Sequence, residues 1–494
     1  MLVSLFSIPA ARGAVEHVGC GVAFAARVRA SSAAIACLLG ACVLAACAQY
    51  RPRPLVAEQE LADLRARTLD ALRIEYAESV AGVDAPPRTF DPSDGLDEAE
   101  LAAVALTLDP ALRARRGAIG EVQALRISAG LLPNPELGAS IRPGMGAASG
   151  TALGFDLLFL LLRPDERPAR RAAAEAQVGS VRAEIEAEEL RLVADVRRAR
   201  IAVLAAQQSA RLLRQEQALR DEALARVHEQ HALGEAAQLA IALVELDRTS
   251  VQRELRAAEA AVERARRSLR ALLGIPPATE LRLAGEEAEL TFTIVPEPTD
   301  EALDARLLAE HPELRARAAD YERAEAELRL AIAGQFPSVR IGPSFEQDVE
   351  GGQSLGLGAS VELPLFDRNQ GAIAARSAAR DRARAEYVAV LHRLRARAFD
   401  ARAELHRART EVELQRAEVL PLVERSEALF EAAFRARELS VFEWMTARAR
   451  SIQARRELLD ALTRYASAAV ELDASTGAFR VVVSSAESDA TAKQ

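Results

Sequence analysis

Cysteine disappears from this 494-residue chain after position 47; the four present are Cys20, Cys37, Cys42 and Cys47. The body therefore carries no disulfide framework and no cysteine metal site. Lysine is confined to Lys493, so arginine supplies the positive charge. Aromatic residues make up 4%, low for a globular enzyme. The formal charge is −9, with 63 basic and 72 acidic residues and no basic block, which argues against a nucleic-acid partner. Past the N-terminal region no run of about 20 residues is free of charge, so no transmembrane helix is expected. The HExxH, phosphate-loop and nucleophile-elbow signatures are all missing. These absences point away from an enzyme and from a bound cofactor.

What is abundant is Ala, Arg, Glu and Leu, the composition of long helices. Set among them, Phe336 to Gln370 breaks the pattern. Ser338–Gln347 places Val339, Ile341 and Phe345 on one face, and Arg340, Gly342, Ser344 and Glu346 on the other. Ser354–Leu363 alternates the same way, with Leu355, Leu357, Ala359, Val361 and Leu363 opposite Gly356, Gly358, Ser360 and Glu362. A period of two marks strands with one apolar and one wet side. A lone hairpin between helices has nothing to cover its apolar face, so it needs other strands or lipid.

The hairpin has a twin. Asp109-Pro110-Ala111-Leu112-Arg113-Ala114-Arg115 matches His311-Pro312-Glu313-Leu314-Arg315-Ala316-Arg317, 202 residues on. Leu132-Pro133-Asn134 matches Phe336-Pro337-Ser338, 204 residues on. Leu137, Ala139 and Ile141 then alternate with Gly138, Ser140 and Arg142, and Leu153, Phe155, Leu157 and Phe159 alternate with Gly154, Asp156 and Leu158. Each hairpin feeds a long helix, about Pro168–Leu233 and Gly371–Glu438, on the order of 100 Å each at about 1.5 Å per residue. Each helix turns at a tip, HALGEAA (231–237) or ARELSVF (436–442), and returns to a glycine stop at Gly274 or Gly477. Duplication of this kind sets the fold: a mainly α chain in which one helix-strand-strand-long helix-return helix unit is written twice. The first repeat spans 96–274, with strands about 135–143 and 151–160. The second spans 299–478, with strands about 338–347 and 354–363. Around them lie a leader at 47–95 with a helical run Glu58–Ala77, and a helix capped by Asp97 and Glu100. A linker at 275–298 carries a short strand Leu290–Val295, and 479–494 reads as a disordered tail.

Residues 1–46 read as an export signal, with Arg27 and Arg29 ahead of the apolar stretch Ala30–Ala46. Leu44-Ala45-Ala46-Cys47 resembles the lipobox of bacterial lipoproteins, which makes Cys47 the lipidated first residue of the mature chain. In lipoproteins an Asp after the cysteine often means inner-membrane retention; Ala48 stands there instead, which fits the outer membrane. One lipid cluster anchors weakly, and inserted strands would supply a second attachment.

Four strands of about ten residues cannot close a pore alone; three chains give twelve, a membrane barrel. Its polar faces would line water, which makes Arg142, Asp156, Arg340, Glu346 and Glu362 pore-lining. The reading is a passive conduit. Two other classes compete with it: a soluble periplasmic coiled-coil scaffold, and an adaptor, which has one helical hairpin and a lipoyl-like domain that this duplicated order lacks.

The chain resembles the TolC-like outer-membrane efflux protein family over nearly all of 59–480. Leu131-Leu132-Pro133-Asn134-Pro135, Leu272-Leu273-Gly274-Ile275-Pro276, Leu363-Pro364-Leu365-Phe366-Asp367-Arg368 and the tip triplets Leu233-Gly234-Glu235 and Leu439-Ser440-Val441 carry the likeness. It implies a homotrimer with a 12-stranded barrel in outer-membrane lipid, standing on an α-helical barrel that extends into the periplasm. It implies docking, through Leu233, Gly234, Glu235, Leu439, Ser440 and Val441, onto a periplasmic adaptor (membrane fusion protein) and an inner-membrane efflux pump. The lipobox points to the branch serving resistance–nodulation–division pumps. Phe155-Asp156-Leu157-Leu158 departs from the family pattern at the first strand-to-helix junction, and Trp444, the single tryptophan, lies near a tip rather than in an aromatic girdle. His228 and His231 lie three apart on a helix with no third ligand, so they read as solvated and no metal is expected. His311 reads as a junction residue, and His392 and His406 as ordinary helix positions.

Overall fold

The computed structural model describes residues 50–80, 83–143, 150–286, 297–436 and 438–485. Cys47 and the export segment lie outside them, as does the strand expected at Leu290–Val295. The chain divides into two units, 1–62 and 63–494. In the first, helix α1 (Ala57–Arg65) begins and buries no residue.

The second unit opens on a small sheet. Strand β1 (Ile74–Val80) pairs antiparallel along its whole length with β8 (Phe479–Ser485). Its other edge takes β2 (Val83–Asp84) at one end and β3 (Arg88–Thr89) at the other. Two expectations are corrected here. The helix read over Glu58–Ala77 stops at Arg65, because Ile74 and Tyr76 alternate inward onto the core as strand residues. The tail read as disordered from 479 is a strand as far as Ser485, because Phe479 and Val481 alternate into the same core and β1 supplies a hydrogen-bonding edge. Between the strands sits α2 (Glu98–Leu108), apolar and buried nearly all round. A full capping box starts it: Glu100 N donates to Asp97 Oδ1 at 2.8 Å, and Asp97 N donates to Glu100 Oε2 at 2.9 Å.

Two repeats follow. The first runs α3 (Pro110–Gly130), β4 (Glu136–Pro143), β5 (Thr151–Leu161), α4 (Glu166–Ala232) and α5 (Gln238–Leu272). The second runs α6 (Asp300–Glu310), α7 (Pro312–Ala333), β6 (Val339–Gln347), β7 (Gln353–Val361), α8 (Gln370–Leu414), a π turn (Gln415–Val419), α9 (Leu420–Arg435) and α10 (Val441–Thr476). Pro110 and Pro312 occupy first-turn positions, where a missing N–H costs nothing. Gly477, at φ +75°, ends α10 in the left-handed conformation. A parallel bridge from Leu96 to Leu283 ties the linker back to the start of the first repeat. Helix α4 is the spine of the unit, with α3, α5, α7 and α10 all laid against it. Its inward stripe includes Ile185, Val196, Val203 and Leu212, all under a tenth exposed. Among the described residues no helix is long and apolar enough to cross a membrane.

Candidate functional site

The two hairpins join into one four-stranded antiparallel sheet, β4-β5-β6-β7, although about 180 residues of chain separate β5 from β6. Strands of 8 to 11 residues reach roughly 26–36 Å at about 3.3 Å per residue, enough to cross a bilayer core when tilted. Register decides what each face carries. Gly138 stands opposite Asp156, Asp156 opposite Ser344, and Ser344 opposite Gly356. One row away, Ser140, Gly154, Glu346 and Ser354 line up in the same order.

All five charges in the four strands therefore share one face. Four of them pair. Arg142 Nη2 donates to Glu346 Oε1 at 3.0 Å, and Arg340 Nε lies 3.5 Å from Glu136 Oε1. Glu362 follows β7 on the same side, where Ser338 Oγ donates to its carboxylate at 2.7 Å. The five residues read as pore-lining thus occupy one surface. Leu158 and Leu160 interrupt it near the helical end and are half-buried. The opposite face is apolar and bare: Leu137 is 75% exposed, Leu355 82%, with Ile141, Phe155, Phe159 and Leu357 beside them. A contiguous apolar surface of this kind marks a lipid or protein contact. The strands approach closely, since a Cβ on Gly342 would collide with the Leu157 carbonyl oxygen. Among the described residues the outer edges of β4 and β7 have no partner in the chain. Such edges demand pairing or protection.

At the far end of the helices lie the two tips. Leu233-Gly234-Glu235 closes chiefly through backbone: Gly234 N donates to His231 O at 2.9 Å and Glu235 N to Gln230 O at 2.8 Å, with Gly234 at φ +78°. All three residues are exposed. The second tip closes through side chains. Glu443 N donates to Ser440 Oγ at 3.2 Å and Ser440 N to Glu443 Oε2 at 2.9 Å. These bonds hold the Glu443 carboxyl below its usual range. Ser440 is exposed and Leu439 half-buried, but Val441 is 3% exposed. Val441, expected at the docking surface, is corrected to a core residue: the capping box sets it at the first helical position, facing inward.

The sequence reading missed the cluster behind this tip. Phe434 stacks on Trp444 with centroids 4.7 Å apart, and the Arg226 guanidinium of α4 caps both rings, 4.7 Å from Phe434 and 5.8 Å from Trp444. Trp444 Nε1 donates to Glu431 at 3.4 Å. A lone tryptophan four residues past the Ser440 turn was the available signal. It missed Glu136 too, the partner of Arg340.

The histidines scatter. His228 is exposed, and His231 Nδ1 lies 2.8 Å from the Ala236 carbonyl. His406 pairs with Glu297 at 3.0 Å. His392 is exposed on α8. His311 is buried with no partner on Nδ1, and burial pushes its pKa down to about 4. Among the described residues no group of three His, Cys, Asp or Glu is placed to hold a metal ion.

Residues 304–478 match the family model described as outer membrane efflux protein. The cobalt-zinc-cadmium resistance protein CzcC of Cupriavidus metallidurans is 25% identical over 229 residues, 46% of this chain and 54% of that protein. The chain thus spans about half the length of the curated relative it matches. Among solved structures, a membrane protein from Pseudomonas aeruginosa superposes with a TM-score of 0.62 at 20% identity, covering 87% of this chain and 99% of that one. The open state of the Neisseria gonorrhoeae MtrE outer membrane channel gives 0.61 at 17% identity, covering 82% and 90%. At these identities the structural likeness establishes the fold.

Proposed function

We propose that this chain belongs to the outer membrane efflux protein family, whose model matches residues 304–478, and is the outer-membrane channel component of a tripartite efflux system. The observation that carries the reading is the sheet: one face holds every strand charge, the other is bare and apolar, and both outer edges are open. A soluble protein would have to hide that apolar face and both edges. Three copies pairing β7 of one with β4 of the next would satisfy the edges and give twelve strands, with lipid outside and water within. The helices then continue the tube into the periplasm.

Cargo passes down its gradient as small molecules or metal ions, and the CzcC likeness favours metal cations among them. A periplasmic adaptor and an inner-membrane pump supply the energy. Leu233, Gly234, Glu235, Leu439 and Ser440 form the docking tip, and Cys47 carries the lipid. The soluble-scaffold and adaptor readings leave the sheet unexplained.

Fractionation of expressing cells tests this. The expected result is an outer-membrane species that runs as a heat-dissociable trimer. A monomer in the aqueous fraction overturns the channel. In the same strain Cys47→Ala should lose incorporated palmitate, and a wild type that takes up none removes the lipid anchor. A tag inserted after Gly234 should stop export while the trimer persists; normal export would move the docking site elsewhere.

A further inference from the structure

We propose that Asp156 sets the ion preference of the conduit, making its barrel favour cations over anions. This rests on the channel reading above. Four of the five charges within the strands cancel in pairs, Arg142 with Glu346 toward one end and Arg340 with Glu136 toward the other, while Glu362, bonded to Ser338, lies past the end of β7 at the helical rim. Asp156 lies between these pairs on β5. Among the described residues it makes no ion pair and no side-chain hydrogen bond, and it is exposed. Its row holds only small neighbours, Gly138, Ser344 and Gly356. Gly138 leaves the space the carboxylate occupies, since a Cβ there would run into Asp156 Oδ2. The two ion pairs are close to neutral at a distance, because each couples opposite charges on neighbouring strands. Among the strand residues, the field at the middle of this face is therefore that of the Asp156 carboxylate, one per chain, with Glu362 the only other unpaired pore-lining carboxylate and set at the rim.

In a threefold barrel the three carboxylates fall at one height around a lumen walled by glycine and serine. No arginine at that level competes for them. A ring of like charge inside a low-dielectric wall concentrates counter-ions and repels co-ions, as rings of Asp or Glu do in cation channels. The ligand class is a hydrated cation passing through, not one held. The neutral small residues keep the passage wide, so the carboxylate acts at a distance and no coordination shell forms.

The test uses the purified full-length protein in planar bilayers under a KCl gradient, with the reversal potential as readout. The wild type should prefer K⁺ over Cl⁻. Asp156→Asn, which keeps the shape, should bring the permeability ratio toward unity, and Asp156→Arg should invert it. Replacing a compensated pair, Arg142→Gln with Glu346→Gln, should leave the ratio where it was. A conducting protein whose preference is unmoved by Asp156→Asn overturns the Asp156 assignment and leaves the channel standing. A preparation that forms no conducting species in any variant removes the channel reading, and the assignment with it.

Discussion

The long helix of the first repeat runs 67 residues without a break, whereas that of the second runs 45, steps through a π turn and resumes as the 16-residue α9. The cause is local. Pro421 has no N–H to give, and just before it Leu420 N bonds Gln415 O, five residues back rather than four. Helix α4 has no proline after Pro168. The consequence reaches the packing. Helix α4 is buried along one stripe from Ala169 to Val227, while α9 buries no residue and leaves Leu422 and Leu429 in the open. Duplicated sequence has thus produced one fixed strut and one that is jointed. The jointed one is held near its end by the Arg226–Phe434–Trp444 cluster, and the exposed leucines suit contact with a neighbouring copy in the proposed trimer.

Removing that clasp should break the comparison most severely. Trp444 is 3% exposed, stacked on Phe434 and capped by Arg226. Trp444→Ala should cost about 3–5 kcal/mol, the range for truncating a buried large aromatic. Leu239→Ala, at the exposed first tip, should cost under about 0.5 kcal/mol. Thermal unfolding of the detergent-solubilised protein reads both. Equal losses would mean the second tip needs no clasp.

A smaller effect comes from exchanging the joint. Gln217 lies in α4 at the position 204 residues before Pro421. Gln217→Pro should cost about 3 kcal/mol, because a straight buried helix loses a hydrogen bond and gains a clash with no π turn in place to absorb them. Pro421→Ala should change stability by less than about 1 kcal/mol and slow amide exchange around 415–421 toward the rate of 211–217 in α4. If Gln217→Pro is tolerated as easily as Pro421, the two struts are equally compliant.

How much of this the residues announced depends on how local each signal is. The four strands begin and end within two residues of the spans that alternation marks, because one face of the sheet is polar and the other apolar and the period shows directly. Gly234 was readable for the same local reason. The β1–β8 pair was not. Ile74-Glu75-Tyr76-Ala77 mixes helix formers (Glu75, Ala77) with strand formers (Ile74, Tyr76), and the partner that makes it a strand lies some 400 residues on. The Arg340–Glu136 and Arg226–Trp444 contacts are also remote, about 200 residues apart in sequence. Pro421 and the Ser440-to-Glu443 spacing stood in plain view; each has a mechanical meaning that a bare helix span passes over.

The smallest test concerns the matched junctions Asp109-Pro110 and His311-Pro312. Asp109 caps its helix, accepting from Leu112 N at 2.7 Å. His311 makes no side-chain cap, and burial holds it neutral with its pKa near 4. Glu313 opposes that shift, while Arg397, Arg393 and Arg191 reinforce it. Above about pH 6.5 the imidazole is neutral folded or unfolded, so it adds no pH dependence. Below that the unfolded chain binds a proton the fold refuses, and stability drains until the folded group also titrates near pH 4. At about 1.4 kcal/mol per unit the loss between pH 6.5 and 5 should be about 2 kcal/mol. His311→Asn does not titrate and can accept from the helix, as Asp109 does. It should flatten this part of the stability profile and make the second junction behave like the first. Parallel melts of the two proteins at pH 6.5 and 5 read it, and equal pH slopes would show that His311 is protonated inside the fold or solvated there.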